Sequence, residues 1–202
     1  MAETRRVVVA ITGASGAVFG VRLLELLRAA EAVEVHLVMT RAACLTLAAE
    51  CDRRPGDLAP LARQVHQVGN IGAPIASGSF RAHGMIVAPC SIRAAAAIAT
   101  GVTDDLVSRA ADVMLKERRT LVLAVRETPL HRGHLDTLTR LAGLGAVIFP
   151  PVPAFYHRPR SIEAIVDQSC MRMLDQLDIR LDAAPRWGEA GGIAAIGEAA
   201  AP

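Results

Sequence analysis

The chain has 202 residues, enough for one sizeable core, and is 52% hydrophobic but only 3% aromatic, so that core must be built from Ala, Val, Leu and Ile. A net charge of +2 is too balanced to argue for nucleic acid or an anionic membrane surface. No apolar run approaches the roughly 18 uninterrupted residues that span a bilayer. The opening MAETRR lacks a signal-peptide pattern, which points to the cytoplasm. Cys44, Cys51, Cys90 and Cys170 form no C-x-x-C pair and are expected to be reduced thiols, not metal ligands or disulfides.

In chain order, Arg5 to Thr12 is a β-branched run, as expected for a central parallel strand buried on both faces. It breaks at Gly13-Ala14-Ser15-Gly16 into a helical pattern with Val18, Val21, Leu24 and Leu27 along one side. The start of that helix offers free N–H groups, and Ser15 adds a hydroxyl, which together suit a phosphate. The spacing is G-x-x-G-x-x-x-G rather than G-x-G-x-x-G, and the second strand, Val33 to Met39, ends in Thr40-Arg41 instead of an acid. Nicotinamide dinucleotides are therefore disfavoured, and a mononucleotide such as FMN fits better.

Ala42 to Glu50 reads as a helix, and Cys51 to Pro60 as a turn-rich connection around Pro55-Gly56. Residues 64 to 80 read as a short strand and a Gly/Ser-rich loop, in which His66 is a lone structural histidine and Ser77-Gly78-Ser79 could face either a ligand or solvent. Gly84 to Ala88 is another buried strand, ending in Pro89-Cys90-Ser91, and Ile92 to Thr100 is an alanine-rich helix stopped by Gly101. Asp104 and Asp105 suit the cap of the next helix, and they are not spaced as a magnesium-holding aspartate cluster.

That next helix carries Arg109 and Lys116 seven positions apart, hence on one face. Lys116 is the only lysine among 22 basic residues. After Arg118 and Arg119 a strand, Thr120 to Val125, delivers Arg126, Glu127 and Pro129 to its carboxyl end, where open α/β sheets bind ligands. Cations from the helix and an Arg-Glu pair from the strand end suit an anionic, phosphorylated ligand. His134 to Leu144 reads as a helix and Ala146 to Phe149 as the last strand. A proline-rich loop then presents Tyr156, and a closing helix, Ser161 to Leu177, carries Arg172. From about Ala183 the chain is Ala/Gly/Pro-rich, which predicts one folded domain over 1–182. The tail, 183–202, would be mobile or lie along a neighbouring subunit with Trp187 as an anchor. The pattern predicts a three-layer, Rossmann-like α/β fold around a mostly parallel sheet.

Several motifs line up with one family. ITGASGA (11 to 17), IASGSF (75 to 80), GMIVAPCS (84 to 91), SRAADVMLKERR (108 to 119), RETPLHRGHL (126 to 135) and PPVPAFYHRP (150 to 159) resemble those of the flavin prenyltransferases. These are the UbiX-type enzymes once labelled aromatic acid decarboxylases. The resemblance covers residues 6 to about 180. It implies an FMN site at Gly13, Ala14, Ser15 and Gly16, with Thr40, Ser91, Ile92, Arg93, Ala94 and Arg126. It implies that Arg109, Lys116, Tyr156 and Arg172 hold the phosphate of dimethylallyl phosphate. Glu127 would be the acid/base residue, and Ser15 and Glu50 further active-site members. Ala94 stands where many relatives carry threonine, so a side-chain contact to the flavin is absent while the backbone contact need not be.

The family reaction implied is metal-independent transfer of the dimethylallyl group to N5 and then C6 of reduced FMN. The product, prenylated FMN, would be handed to a UbiD-type decarboxylase, and members are usually homododecamers. Two alternatives share the FMN-binding core. An FMN-dependent cysteine decarboxylase would carry P-x-M-N-x-x-M where this chain has Arg126-Glu127-Thr128-Pro129. A non-catalytic flavin-binding subunit of a decarboxylase would not need Lys116, Glu127, Tyr156 and Arg172 together.

Overall fold

The apolar runs assemble into six parallel strands in a computed structural model that describes residues 4–30, 32–182, 184 and 186. The chain runs β1 (Arg5–Ile11), α1 (Ala17–Ala29), β2 (Val33–Met39), α2 (Arg41–Cys51), α3 (Pro55–Leu58) and β3 (Gln64–His66). It continues through β4 (Gly84–Cys90), α4 (Ile92–Thr100), α5 (Leu106–Lys116), β5 (Thr120–Val125), α6 (Arg132–Gly143), β6 (Val147–Ile148) and α7 (Ile162–Asp175). Strand order is β3-β2-β1-β4-β5-β6, the doubly wound arrangement expected of this pattern.

Alternation along β1 divides the core into two layers. Val7, Val9 and Ile11 pack with α1, α2 and α7 through residues such as Leu24, Leu47, Cys170 and Leu174. Val8 and Ala10 face the other layer, with α4, α5 and α6 through residues such as Ile98, Ala110, Met114 and Leu141. Helices α5 and α7 therefore lie on opposite faces of the sheet.

Val18 is 38% exposed, not part of the inward stripe. Each step of three residues falls about 60° short of a helical turn, so a row begun at Val18 has rotated half way round by Leu27. Gly20 occupies the inward position instead: a Cβ there would stand 2.5 Å from the carbonyl oxygen of Ala88 and 2.7 Å from Ile11 Cδ1, so α1 rests directly on the sheet. The last strand is shorter than expected, since only Val147 and Ile148 register against Val122 and Leu123. The turn-rich connection contains α3, started by Pro55.

His66 is not a lone histidine. Its Nε2 lies 3.0 Å from Nδ1 of His36, with the two rings stacked and Phe80 edge-on to His36. The expected tail, Trp187 included, lies outside the described residues apart from Ala184 and Arg186. Arg186 forms a two-pronged ion pair with Asp175 at 2.7 and 2.8 Å, which ties the chain back to α7.

Candidate active site

Strand order reverses at β1, which has β2 on one side and β4 on the other, so a crevice opens at the carboxyl ends of β1 and β4. Thr12, which follows β1, spans it. Its hydroxyl donates to the Pro89 carbonyl at 2.7 Å and accepts the Ser91 N–H at 2.8 Å, and its own N–H reaches Pro89 at 3.2 Å. Thr12 is 1% exposed. Its only sequence signal is a hydroxyl closing an apolar strand just before a glycine turn. Gly13 passes so close to Ala42 that an added Cβ would overlap it, and Gly16 has a φ of 103°, which disfavours any side chain.

The start of α1 is not free as expected. The N–H groups of Gly16 and Ala17 donate to one carboxylate oxygen of Glu50, at 2.8 and 2.9 Å. Burial alone would push the Glu50 carboxyl up. The Ser15 hydroxyl, these two N–H groups and the positive charge of Arg126 outweigh it and hold the carboxyl below its ordinary range. Glu50 therefore occupies this positive helix end as an anion.

Two more helices begin at the same edge. Thr40 caps α2, its hydroxyl accepting the Ala43 N–H at 3.1 Å, while its own N–H donates to the Ile11 carbonyl at 3.0 Å. Ser91 caps α4, accepting the Ala94 N–H at 3.3 Å. The Ala94 N–H is thus engaged by Ser91. Ile92 and Arg93 form the first turn of α4, and the Arg93 guanidinium points to the α5 cap, 3.8 Å from Asp105 and 3.9 Å from Asp104. The N–H of Arg126 donates to the Cys90 carbonyl at 3.1 Å, fixing the end of β5 to that of β4. Positive helix ends, Arg126 and a glycine turn that leaves no room for side chains fit a nucleotide bearing one phosphate. Burial pushes the adjacent Cys90 thiol up to about 12, so it stays protonated.

The other candidates fall into two groups. Arg109 and Lys116 share one loop segment: Arg109 Nε donates to the Ala76 carbonyl at 3.1 Å, and the Lys116 ammonium sits beside Gly78. Arg109 also pairs with Asp112 at 2.7 Å, and Lys116 with Glu117. On the other face, Arg172 pairs with Asp175 at 2.9 Å, and Gln168 of the same helix donates to the Tyr156 hydroxyl at 3.4 Å. Glu127 is exposed after β5, with its carboxylate accepting the Thr128 N–H at 3.0 Å. The fold thus brings Arg109 to Lys116 and Tyr156 to the Arg172 helix, but places the two groups on opposite faces of the sheet.

A family profile described as Flavoprotein matches residues 1–174. The chain is 52% identical over 185 residues to the flavin prenyltransferase UbiX of Escherichia coli (strain K12), covering 91% of this chain and 98% of the relative. The chain belongs to the UbiX flavin prenyltransferase family. A crystal structure of a UbiX in complex with FMN and dimethylallyl pyrophosphate superimposes with a TM-score of 0.90 at 52% identity, covering 93% of this chain and 99% of that one. A dodecameric FMN-dependent UbiX-like decarboxylase from Escherichia coli O157:H7 gives a TM-score of 0.89 at 44% identity, covering 91% and 100%. Among the described residues, no helix is long and apolar enough to cross a membrane.

Proposed function

We propose that this chain transfers a dimethylallyl group from dimethylallyl phosphate to N5 and then C6 of reduced FMN, making prenylated FMN for a UbiD-type decarboxylase. One observation carries this: a chain 52% identical to UbiX over 91% of its length carries Lys116, Glu127, Tyr156 and Arg172 as well as the switch-point crevice. Residues 1–182 act as one FMN-binding domain.

Breaking the allylic C–O bond sends its electron pair to a phosphate oxygen. Preorganised cations stabilise that charge without a metal, and this electrostatic contribution is often the largest in catalysis. Arg109 and Arg172 present planar forks to phosphate oxygens, Lys116 adds a compact charge, and the Tyr156 hydroxyl donates a hydrogen bond. Reduced FMN, when bound, supplies the nucleophilic N5 and C6. Gly13 to Gly16, Thr40, Ser91 to Ala94 and Arg126 hold it, while Ser15 and Glu50 stand at the α1 end of the crevice. Glu127 takes the proton lost from C6 as the ring regains aromaticity.

Because α5 and α7 lie on opposite faces, Tyr156 and Arg172 enter the site from a neighbouring subunit, in a homododecamer like that of the Escherichia coli O157:H7 relative. Four free thiols suit a reducing compartment, the cytoplasm. The direct test is anaerobic incubation with reduced FMN and dimethylallyl phosphate, followed by mass analysis of the flavin. One added prenyl unit is the expected product; no adduct with either the mono- or the diphosphate donor contradicts the proposal.

A further inference from the structure

Segment Ala76–Phe80 carries three of the basic side chains at and beyond α5. Arg109 Nε donates to the Ala76 carbonyl at 3.1 Å, and the Arg119 guanidinium donates to the carbonyls of Phe80 and Gly78 at 2.6 and 2.8 Å. Between them lies Gly78. A Cβ added there would stand 2.7 Å from Lys116 Nζ and closer still to the carboxylate oxygen of Glu117, the ion-pair partner of Lys116. The φ of Gly78 lies outside the left-handed region, so no left-handed turn requires glycine there. What the missing side chain leaves room for is the ammonium–carboxylate pair.

We propose that Gly78 and Glu117 are positioning residues for Lys116: the bare Cα of Gly78 is a shelf, and the Glu117 carboxylate holds the ammonium on it, ready for the donor phosphate. This rests on the function proposed above. Three rigid anchors hold the shelf to α5 and its C-terminal end: the Arg109 bond and the two Arg119 bonds. Lys116 is otherwise a flexible side chain, 45% exposed, and needs such a seat to be preorganised. The neighbours a Cβ would strike are the ends of flexible side chains, so Gly78→Ala displaces the pair without disrupting the fold.

Lys116 is the only lysine of the chain, so amine chemistry followed at its peptide, apart from that of the N-terminal amine, reads its position. In FMN-loaded protein with the flavin oxidised, Lys116 is labelled with an amine-reactive ester and its peptide quantified by mass spectrometry. Binding of dimethylallyl phosphate is measured by calorimetry on the same samples. Gly78→Ala should raise the labelling rate severalfold and weaken donor binding about tenfold, with an unchanged melting temperature. In a Lys116→Ala background, Gly78→Ala should cost nothing further in donor binding, because a positioning residue acts only through the group it positions. Glu117→Gln, which leaves the loop untouched, should raise labelling as well. Unchanged labelling in both variants overturns the shelf, as does an equal loss of donor binding with and without Lys116. Altered labelling with no donor binding even to the unaltered protein leaves the shelf standing and overturns the prenyl-transfer function.

Discussion

The switch-point crevice and the cations proposed to hold the donor phosphate are built by different means. At the crevice, Thr12, Thr40 and Ser91 have short side chains bonded to backbone at strand ends, and the Arg126 backbone is tied to Cys90. On α5 and α7, the charged groups end long side chains, each beside an acid: Arg109 with Asp112, Lys116 with Glu117, Arg172 with Asp175. The named groups of the first region all belong to one chain and are fixed by bonds to its own backbone. The second is divided between the two faces of the sheet, and its cations are held by local ion pairs until a stronger anion arrives. Under the proposed function, binding the flavin and ionising the prenyl donor are therefore separable properties of one fold.

The largest expected effect separates them at the cation end. Lys116→Ala or Arg172→Ala should lower prenyl transfer by about 10²–10³, the cost of removing one preorganised stabilising group, while FMN affinity stays unchanged. Equal loss of FMN affinity would dissolve the distinction between the regions. The converse change is Thr12→Val, which leaves the partly buried Ser91 N–H without its acceptor. It should cost about 1–3 kcal/mol of stability and weaken FMN binding, as read by denaturant unfolding and flavin titration. Thr12→Ser should restore most of both.

The smallest effect lies outside both regions, at His36 and His66. Burial, and for His36 also the nearby charge on His66, pulls their pKa values below the usual 6.5, with Glu34, Arg6 and Arg63 as the other charged neighbours of His36. The folded state therefore holds fewer protons than the unfolded chain as pH falls through about 6.5, so stability declines below that value. The melting temperature should therefore fall between pH 7 and pH 5, and fall less in His66→Gln. A loss of FMN affinity over the same pH range without any change in melting would place the titrating group at the crevice instead.

The apolar runs made β1, β2 and β5 legible in the sequence, and Asp105 and Ser161 marked helix starts, because both signals are local. Thr12 escaped because its partners, Pro89 and Ser91, lie 77 and 79 residues away in sequence. The same distance problem hid the His36–His66 pair and the seat of Glu50 on α1, whose N–H groups seemed free for a phosphate. Glu117, which precedes Arg118 and Arg119 and carries no signal of its own, became visible only when the fold laid Gly78 beside it. Division of the cations between sheet faces follows from strand order, which no single segment encodes.

The central claim is that the site is whole only between subunits, and mixed assemblies test it most directly. Lys116→Ala and Arg172→Ala chains, each nearly inactive alone, are dissociated, mixed in equal amounts and reassembled. If Lys116 and Arg172 of different chains meet in one site, half of the sites receive an intact Lys116, and half of those an intact Arg172. About a quarter of the prenyl-transfer activity should then return. A mixture no more active than its two components would place both residues in a site within one chain and contradict the account.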